Sequence, residues 1–243
     1  MTTLSTSQPR SYVFVAEFIV YSDCGSSFTT IANPFDASLP DLHVSVRSWS
    51  LTFGYCGNFF GVLDGTFDYL PRIRALRDCI RQARSMGQIS LTDSKIVSET
   101  KAIECALQSW TSPFLPSSSR DLVACLYRHC MLIYLYRTSY ASRTSLLFTT
   151  MVDQGLQYFG SVPYEMLPVM LLPIFILGCA AWEPAQRRDI LAGLAKVQSW
   201  SRLKNVDHTR ELLKEFWVKM DIGDEGVSWD WEAIAAGRNT LMV

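Results

Sequence analysis

An apolar run at residues 166–182, MLPVMLLPIFILGCAAW, constrains the fold of this chain more than any other segment. Such a run either crosses a membrane or lies in the interior of a protein. It falls short of the roughly 20 apolar residues that a bilayer core requires, and Pro168 and Pro173 interrupt it. Arg187 and Arg188 follow it, as they would beside a cytoplasmic membrane face, but the sequence offers no second span. We therefore favour a fully buried helix.

The chain after residue 50 has the three- and four-residue spacing of amphipathic helices, and no long alternating run indicates a sheet. Helices are predicted at about 67–86, 92–110, 120–140, 145–159 and 205–220, with others starting at Pro184 and Ser228. The helix at 120–140 is apolar nearly all round, which places it at the centre of a helical domain. The predicted fold is all-α: a multi-helix domain of orthogonal or antiparallel helices with a central apolar helix.

Cap residues and prolines set the expected ends of these helices. Thr66 or Asp68 is expected to cap the helix at 67–86, and Gly87 to end it. Asn205 is expected to cap the helix at 205–220. The two prolines of the apolar run are expected to bend or split it into two short helices.

Residues 1–48 give the weakest pattern. The apolar residues of a short predicted strand are Val13, Val15, Phe18 and Val20. The stretch at 22–40 is rich in turn and loop residues and is predicted to be a loop. A cleaved signal peptide is disfavoured because the apolar stretch is short and contains Glu17. We expect residues 1–48 to be poorly ordered or peripheral, and residues 49–243 to form the helical domain.

Charge and cysteine content limit the functional classes. The formal net charge is -1, with Lys+Arg 22 against Asp+Glu 23, which gives no general attraction to nucleic acid. The sequence contains 7 cysteines but no C-x2-C pair, so it offers no local zinc finger or zinc cluster. Their odd number and wide spacing favour free thiols in a reducing compartment.

The polar face of the helix at 67–86 is basic. Its arginines are Arg72, Arg74, Arg77, Arg81 and Arg84. We interpret this face as a solvated one, since surface arginines usually stay hydrated. Contact with an acidic partner or a phosphate group is the alternative.

Few residues are candidates for chemistry. The 3 histidines are His43, His129 and His208. His129 and Cys125 are spaced as two metal ligands on one helix face, but no third or fourth ligand is evident. The glycines at 54, 57, 61 and 65 fit neither a dinucleotide-binding motif nor a P-loop. We predict no enzyme activity, no cofactor, and no catalytic, cofactor-binding or metal-binding residue.

Tryptophans are concentrated toward the end of the chain. They are Trp200, Trp217, Trp229 and Trp231. Stacking on nucleic-acid bases would require basic neighbours, and the last three have acidic ones. We interpret these residues as packing anchors.

Short motifs follow one another through the chain in a characteristic order. They are LDGTFDYLPRIRALRDCI, LIYLYR at 132–137, LPVMLLPIFILGCAA, RRDILAGL and NVDHTRELLKEFW, followed by a late tryptophan. Together they resemble the regulatory domains of fungal-specific transcription factors, which accompany zinc binuclear cluster DNA-binding modules. The matching positions are Gly65, Leu70, Pro71, Ile73, Leu76, Pro173, Phe175, Gly178, Cys179, Ala181, Arg188, Ile190, Asn205, Leu212, Leu213, Trp217 and Trp229 or Trp231. Leu172 and Ala180 depart from the family's usual Trp and Glu.

The resemblance implies a nuclear, helical domain that regulates transcription through protein partners of the transcription machinery, with a homodimer compatible with that role. The family's six-cysteine module is missing from the sequence, so we expect no specific DNA binding by this chain alone. A truncated regulator, a partial gene product and a stand-alone domain all fit this pattern. Two alternatives stay open: an enzyme or small-molecule binder using a crevice near 166–217, and a membrane-associated protein using 166–182.

Overall fold

The computed structural model describes residues 10–30, 59–87, 93–140, 145–201, 204–223 and 231–235. Its helices are α1 (Arg10–Ser27), α2 (Leu70–Ser85), α3 (Ser94–Ser109), α4 (Ser119–Ser139), α5 (Leu146–Gly160), α6 (Leu171–Ala180), α7 (Pro184–Ser201), α8 (Lys204–Asp221) and α9 (Trp231–Ala235). Short 3-10 helices at Thr66–Tyr69 and Tyr164–Met170 lead into α2 and α6. These ranges contain no strand, and the all-α prediction is confirmed.

Helix α4 is the central helix of the domain. It packs against α2, α3, α5 and α6, and every residue from His129 to Ser139 is buried. A helix that is apolar on all sides is stable only when every face is buried, since none of its faces favours contact with water. The predicted central apolar helix is therefore confirmed.

The apolar run folds into two short helical pieces, as predicted. Pro168 lies inside the 3-10 helix, and Pro173 lies in the first turn of α6, where a missing N–H breaks no helical hydrogen bond. All 10 residues of α6 are buried, among α4, α5, α7 and α8. None of the described helices is long and apolar enough to cross a membrane.

The close approach of α6 and α8 depends on Gly178. A Cβ atom at this position would lie 2.7 Å from the Cδ atoms of Leu213 on α8. The absence of a side chain also leaves the Gly178 carbonyl accessible, and Trp217 Nε1 donates a hydrogen bond to it at 2.8 Å. Gly178 thus allows α8 to approach α6 and to be fixed there by Trp217.

Several helix ends differ from the predicted caps. Helix α2 begins at Leu70 with no side-chain cap, because Thr66 and Asp68 belong to the preceding 3-10 helix. Gly87 follows the end of α2 with φ 72°, as predicted for a left-handed terminating residue. The cap prediction for Asn205 is wrong, since α8 already includes Lys204. Asp93 caps α3 by accepting a hydrogen bond from Lys95 N, and Thr92, where the predicted helix begins, lies outside the described residues.

The strand predicted near residues 13–20 is wrong, because this segment belongs to α1. Its buried residues, Ala16, Glu17, Val20, Tyr21 and Cys24, recur with helical spacing and form one face. The predicted loop at 22–40 is helical as far as Ser27, and residues 31–40 lie outside the described ranges. The side chains of α1 thus join the core, while the domain boundary placed after residue 48 stays a prediction.

Candidate functional site

A buried carboxylate, Glu232 on α9, gathers polar groups from two other helices. Tyr134 Oη on α4 donates to Glu232 Oε1 at 2.8 Å. From α2, Arg77 Nη1 and Arg74 Nη1 donate to the same oxygen at 3.0 and 3.4 Å. All four residues are buried, and we refer to Arg74, Arg77, Tyr134 and Glu232 as the Glu232 cluster. Its members come from helices that are distant in sequence, so it forms only in the folded domain.

Helix geometry explains how α2 supplies two arginines to one carboxylate. Arg74 and Arg77 are three residues apart, which puts both on the same helix face. Arg74 Nη1 also donates to the Ser27 and Thr30 carbonyl oxygens at 2.6 and 2.9 Å. The end of α1 is therefore held by α2 through main-chain acceptors.

Trp231, the neighbour of Glu232, fixes α9 against the rest of the core. Its ring stacks on Tyr134 at a centroid distance of 5.3 Å and meets the edge of Phe175 at 6.0 Å. Its Nε1 donates to the Phe28 carbonyl at 3.0 Å. Trp231 is thus a packing anchor, as predicted, and it joins α9 to α4, α6 and the segment after α1.

The prediction that the basic face of α2 is solvated is wrong for Arg74 and Arg77. Both are buried because their guanidinium groups find a carboxylate and carbonyl oxygens inside the domain. Arg72 and Arg84 are exposed, and Arg72 pairs with Glu99 at 2.9 Å on the surface. The arginine face of α2 is therefore divided between the interior and the solvent.

Burial and charge shift the pKa values of Tyr134 and Arg77 in the Glu232 cluster. Burial raises the pKa of the Tyr134 phenol, and the negative charge of Glu232 raises it further. For Arg77, burial alone would lower the pKa, but the charge of Glu232 and contacts with Tyr134 and Asp78 hold it above its usual value. The tyrosine is therefore a neutral donor and the arginine a permanent cation, which is a stable arrangement around a carboxylate.

A further arginine, Arg137, lies in the interior without such partners. No described residue accepts a hydrogen bond from its Nε, Nη1 or Nη2 atoms. Its Cζ atom lies 5.7 Å from the ring centroid of Phe148 on α5 and 5.8 Å from that of Phe216 on α8. Burial lowers the pKa of Arg137 to about 10, although the nearby Cys179 and Glu232 act in the opposite direction.

The contacts around Arg137 offset only part of the free energy that burying its charge costs. A buried charge costs several kcal/mol even after the protein relaxes around it. A desolvated cation–π contact stabilises the cation by about 2 kcal/mol. The helix dipole of α4 stabilises Arg137, which lies in the last turn, by up to about 2 kcal/mol. None of these contacts satisfies the N–H donors of the guanidinium.

The residues that carry the family resemblance meet in this region. Trp217 reaches the Gly178 carbonyl, Phe175 contacts Trp231, and Arg137 ends the LIYLYR motif. Sequence reasoning missed Glu232 and Arg137 as buried charges. The LIYLYR motif contains Arg137 as its last residue and so draws attention to it. No residue close to Glu232 in sequence indicates that two arginines bind it.

The structure offers no support for a metal site at His129. His129 is buried, and its Nε2 lies 2.7 Å from the Met151 carbonyl oxygen. Burial lowers the pKa of this imidazole, while the hydrogen bond to Met151 opposes the shift. Across the described ranges, no three His, Cys, Asp or Glu residues are grouped as a metal would require.

The remaining candidates are scattered. His208 is exposed, and His43 lies outside the described residues. Gly61 and Gly65 belong to a turn with positive φ, closed by the Asp64 carboxylate, which accepts from Gly61 N and Thr66 N at 2.8 and 2.9 Å. Gly54 and Gly57 also lie outside the described residues.

The predicted packing role of the late tryptophans holds for two of them. Trp217 and Trp231 are buried, whereas Trp200 is 44% exposed and is not an anchor. Trp229 lies outside the described residues. Trp200 is the second-last residue of α7.

An open cavity of about 600 Å³ lies between α2 and α3. Leu76, Cys79, Met86 and Ile96 supply its apolar lining, and Arg72 and Glu99 lie at its charged edge. A smaller cavity of about 180 Å³ lies between α3 and the end of α4. Neither is lined by residues of 166–217, where a small-molecule crevice was considered from the sequence.

Comparison with known proteins identifies the family. A family model for the fungal specific transcription factor domain matches residues 3–243. The chain belongs to the fungal specific transcription factor domain family. The match confirms the resemblance seen in the sequence, and it includes α1 as well as the later helices.

A curated protein of similar sequence is the transcription factor iacI of Pestalotiopsis fici (strain W106-1 / CGMCC3.15140). It is 26% identical to this fungal specific transcription factor domain over 112 residues. The aligned part is 43% of this chain and 26% of that protein, so the chain spans about a quarter of the length of the curated relative it matches. No solved structure matches this chain.

Proposed function

We propose that this chain is a transcription-regulatory domain that acts in the nucleus through protein partners, without enzyme activity and without reading DNA itself. The family match over residues 3–243 carries the proposal. Similarity to a protein named as a transcription factor supports it. The lack of any C-x2-C pair in the sequence supports a division of labour in which another module or protein contacts DNA.

The interior of the domain supports a binding role over catalysis. In the Glu232 cluster the carboxylate is bound by two arginines and a tyrosine, so it is not poised to accept a proton from a substrate. His129 has its Nε2 directed at a carbonyl oxygen. These groups stabilise the arrangement of helices that a partner would contact.

The outer face of α1 is a surface suited to a protein partner. Its large exposed side chains are Tyr12, Phe14, Val15, Phe18 and Ile19, which are 39% to 53% exposed. The charged Glu17 points inward and accepts a hydrogen bond from Phe59 N at 2.7 Å. Apart from Asp23, which follows Ile19 by one turn and is half-buried, the described exposed side chains of this face are uncharged, so a second copy of the chain can pack on it with little charge repulsion. We propose a homodimer formed by α1 against its copy.

The surface area that the two protomers can bury indicates how tightly such a dimer would associate. Large side chains cover about 150–250 Å² each, so five that are half exposed offer roughly 400–600 Å² per protomer. Both protomers together would bury roughly 800–1,200 Å², the lower limit for a specific interface. The dimer should therefore be weak and depend on protein concentration.

The regulatory role is tested by tethering. The whole chain is fused to a heterologous DNA-binding module whose sites lie upstream of a reporter gene in fungal cells, and a fluorescent tag reports its location. We expect the fusion to enter the nucleus and to change reporter transcription several-fold relative to the module alone. A Leu213→Asp variant, which places a charge at a fully buried position, should lose the effect. Reporter transcription equal to that of the module alone would contradict the proposal.

DNA recognition is tested with the isolated chain. Repeated selection from random duplexes at physiological salt should enrich no sequence, since the chain has neither a zinc cluster nor excess positive charge. Enrichment of one sequence bound with a nanomolar Kd would show that the chain reads DNA by itself.

A further inference from the structure

Arg137 holds its guanidinium group inside the domain, with 1% of the residue exposed. No acceptor atom of a described residue lies at hydrogen-bond distance from its Nε, Nη1 or Nη2 atoms. The rings of Phe148 and Phe216 contact it, but an aromatic ring does not replace an oxygen acceptor for a planar, multiply donating group. A carboxylate or phosphate oxygen is the partner that this geometry lacks.

The charges around Arg137 do not supply that partner. Glu232 acts on Arg137 through space, but its hydrogen bonds come from Arg74, Arg77 and Tyr134. Asp78 pairs with Arg77 at 2.7 Å at the edge of the domain. Among the described residues, neither carboxylate accepts a hydrogen bond from Arg137, so an additional anion would be attracted to its charge.

Arg137 lies close to an end of two helices that reaches the surface. It lies in the last turn of α4, and Phe148 lies in the first turn of α5. The N–H groups at the start of α5 carry partial positive charge, which favours an anion, whereas the last carbonyl groups of α4 carry partial negative charge that Arg137 offsets. Tyr140 and Leu146, which follow α4 and begin α5, are 45% and 82% exposed, so this end of the two helices reaches the surface.

We propose that Arg137 binds an oxyanion, the carboxylate or phosphate group of a small molecule, between the last turn of α4 and the first turn of α5. The guanidinium fork donates two parallel hydrogen bonds to such a group. Phe148 and Phe216 shield the ion pair from water, which strengthens it. The inference goes beyond the proposed function, because regulation through protein contacts requires no small molecule.

Thermal unfolding of the whole chain tests the proposal. Chloride is replaced stepwise at constant ionic strength by inorganic phosphate in one series and by acetate in another. We expect a rise in Tm that follows the logarithm of the anion concentration above the Kd, about 3–6 °C at ten times the Kd. A rise with phosphate alone identifies a phosphate-bearing ligand, and a rise with acetate identifies a carboxylate-bearing one.

Three variants locate the effect. Arg137→Met keeps the side-chain length without the charge, so it should melt at or above the wild-type Tm in chloride and show no oxyanion-dependent rise. Arg137→Lys keeps the charge but loses the planar fork, so it should show a larger Kd. Arg188→Met, at an exposed position on α7, is the matched control and should keep the wild-type rise.

Several results would overturn the proposal. They are a wild-type Tm that does not rise with either anion, an equal rise in Arg137→Met, and a lowered Tm of Arg137→Met in chloride. If Arg137→Met fails to fold, an unchanged Kd for the anion in Arg137→Lys would also overturn the proposal. The tethered reporter tests the proposed function separately, since its result does not depend on oxyanion binding.

Discussion

At the scale of single residues, Glu232 has the largest predicted effect on stability. Glu232→Gln would leave Arg74 and Arg77 buried without their carboxylate, and removing one member of a buried ion pair costs about 3–5 kcal/mol. We expect the urea midpoint to fall accordingly. Glu99→Gln, in the surface pair with Arg72, is the matched control and should leave the midpoint unchanged.

A double-mutant cycle tests whether Tyr134 and Glu232 stabilise the domain together. Tyr134→Phe removes only the phenol that donates to Glu232, so it should cost less than Glu232→Gln. The two changes act on one cluster, and the double variant should lose less than the sum of the two single effects. Additive losses would show that Tyr134 and Glu232 stabilise the domain independently.

The burial of Arg74 and Arg77 could not be predicted from their own helix. Five arginines spaced along α2 resemble an ordinary solvated face, and local sequence contains no sign that two of them are internal. Their acceptors are Glu232, more than 150 positions away, and carbonyl oxygens at the end of α1. Long-range pairing of this kind is decided by tertiary structure, which pattern analysis of one segment does not contain.

At the scale of helices, the contact between α6 and α8 gives a prediction at Gly178. Gly178→Ala would put a methyl group within 2.7 Å of Leu213, a fully buried residue that must shift to accommodate it. Overpacking of a core typically costs about 1–3 kcal/mol. Thermal or urea unfolding should show this loss, and the change Leu213→Val should restore part of it in the Gly178→Ala background.

Gly160→Ala is the matched control for this prediction. It also lies in a helix, α5, but a Cβ atom there would meet nothing within 4 Å. Alanine has the higher helix propensity, so this variant should be unchanged or slightly more stable. Equal losses at Gly178 and Gly160 would indicate that backbone effects, and not the α6–α8 contact, determine the cost.

Helix positions were predictable where periodicity was strong. The predicted helices at 120–140 and 145–159 differ by one residue at each end from α4 and α5. Helix α1 was not predicted, because Val, Phe and Tyr favour strands. Glu17 is buried because it binds Phe59 N, a contact spanning 42 positions that the local pattern does not reveal.

At the scale of the whole molecule, self-association through α1 is the main prediction. Sedimentation velocity over a range of concentrations should show a monomer–dimer equilibrium, and Phe14→Glu with Phe18→Glu should shift it to monomer. Val218→Glu, at an exposed apolar position on α8, should leave the equilibrium unchanged. A wild-type chain that stays monomeric at the highest concentration would contradict the proposed homodimer.

The contacts of Trp231 and Glu232 have a consequence for biosynthesis. These residues hold the end of α1 and the arginines of α2, yet a ribosome adds Trp231 203 residues after Phe28, and Glu232 158 and 155 residues after Arg74 and Arg77. At a translation rate of about 5–20 residues per second, the emerging chain spends about 8–30 s with Arg74 and Arg77 made but the carboxylate of Glu232 not yet synthesised. During that time the first helices are available to chaperones, and the Glu232 cluster forms only after α9 has left the ribosome.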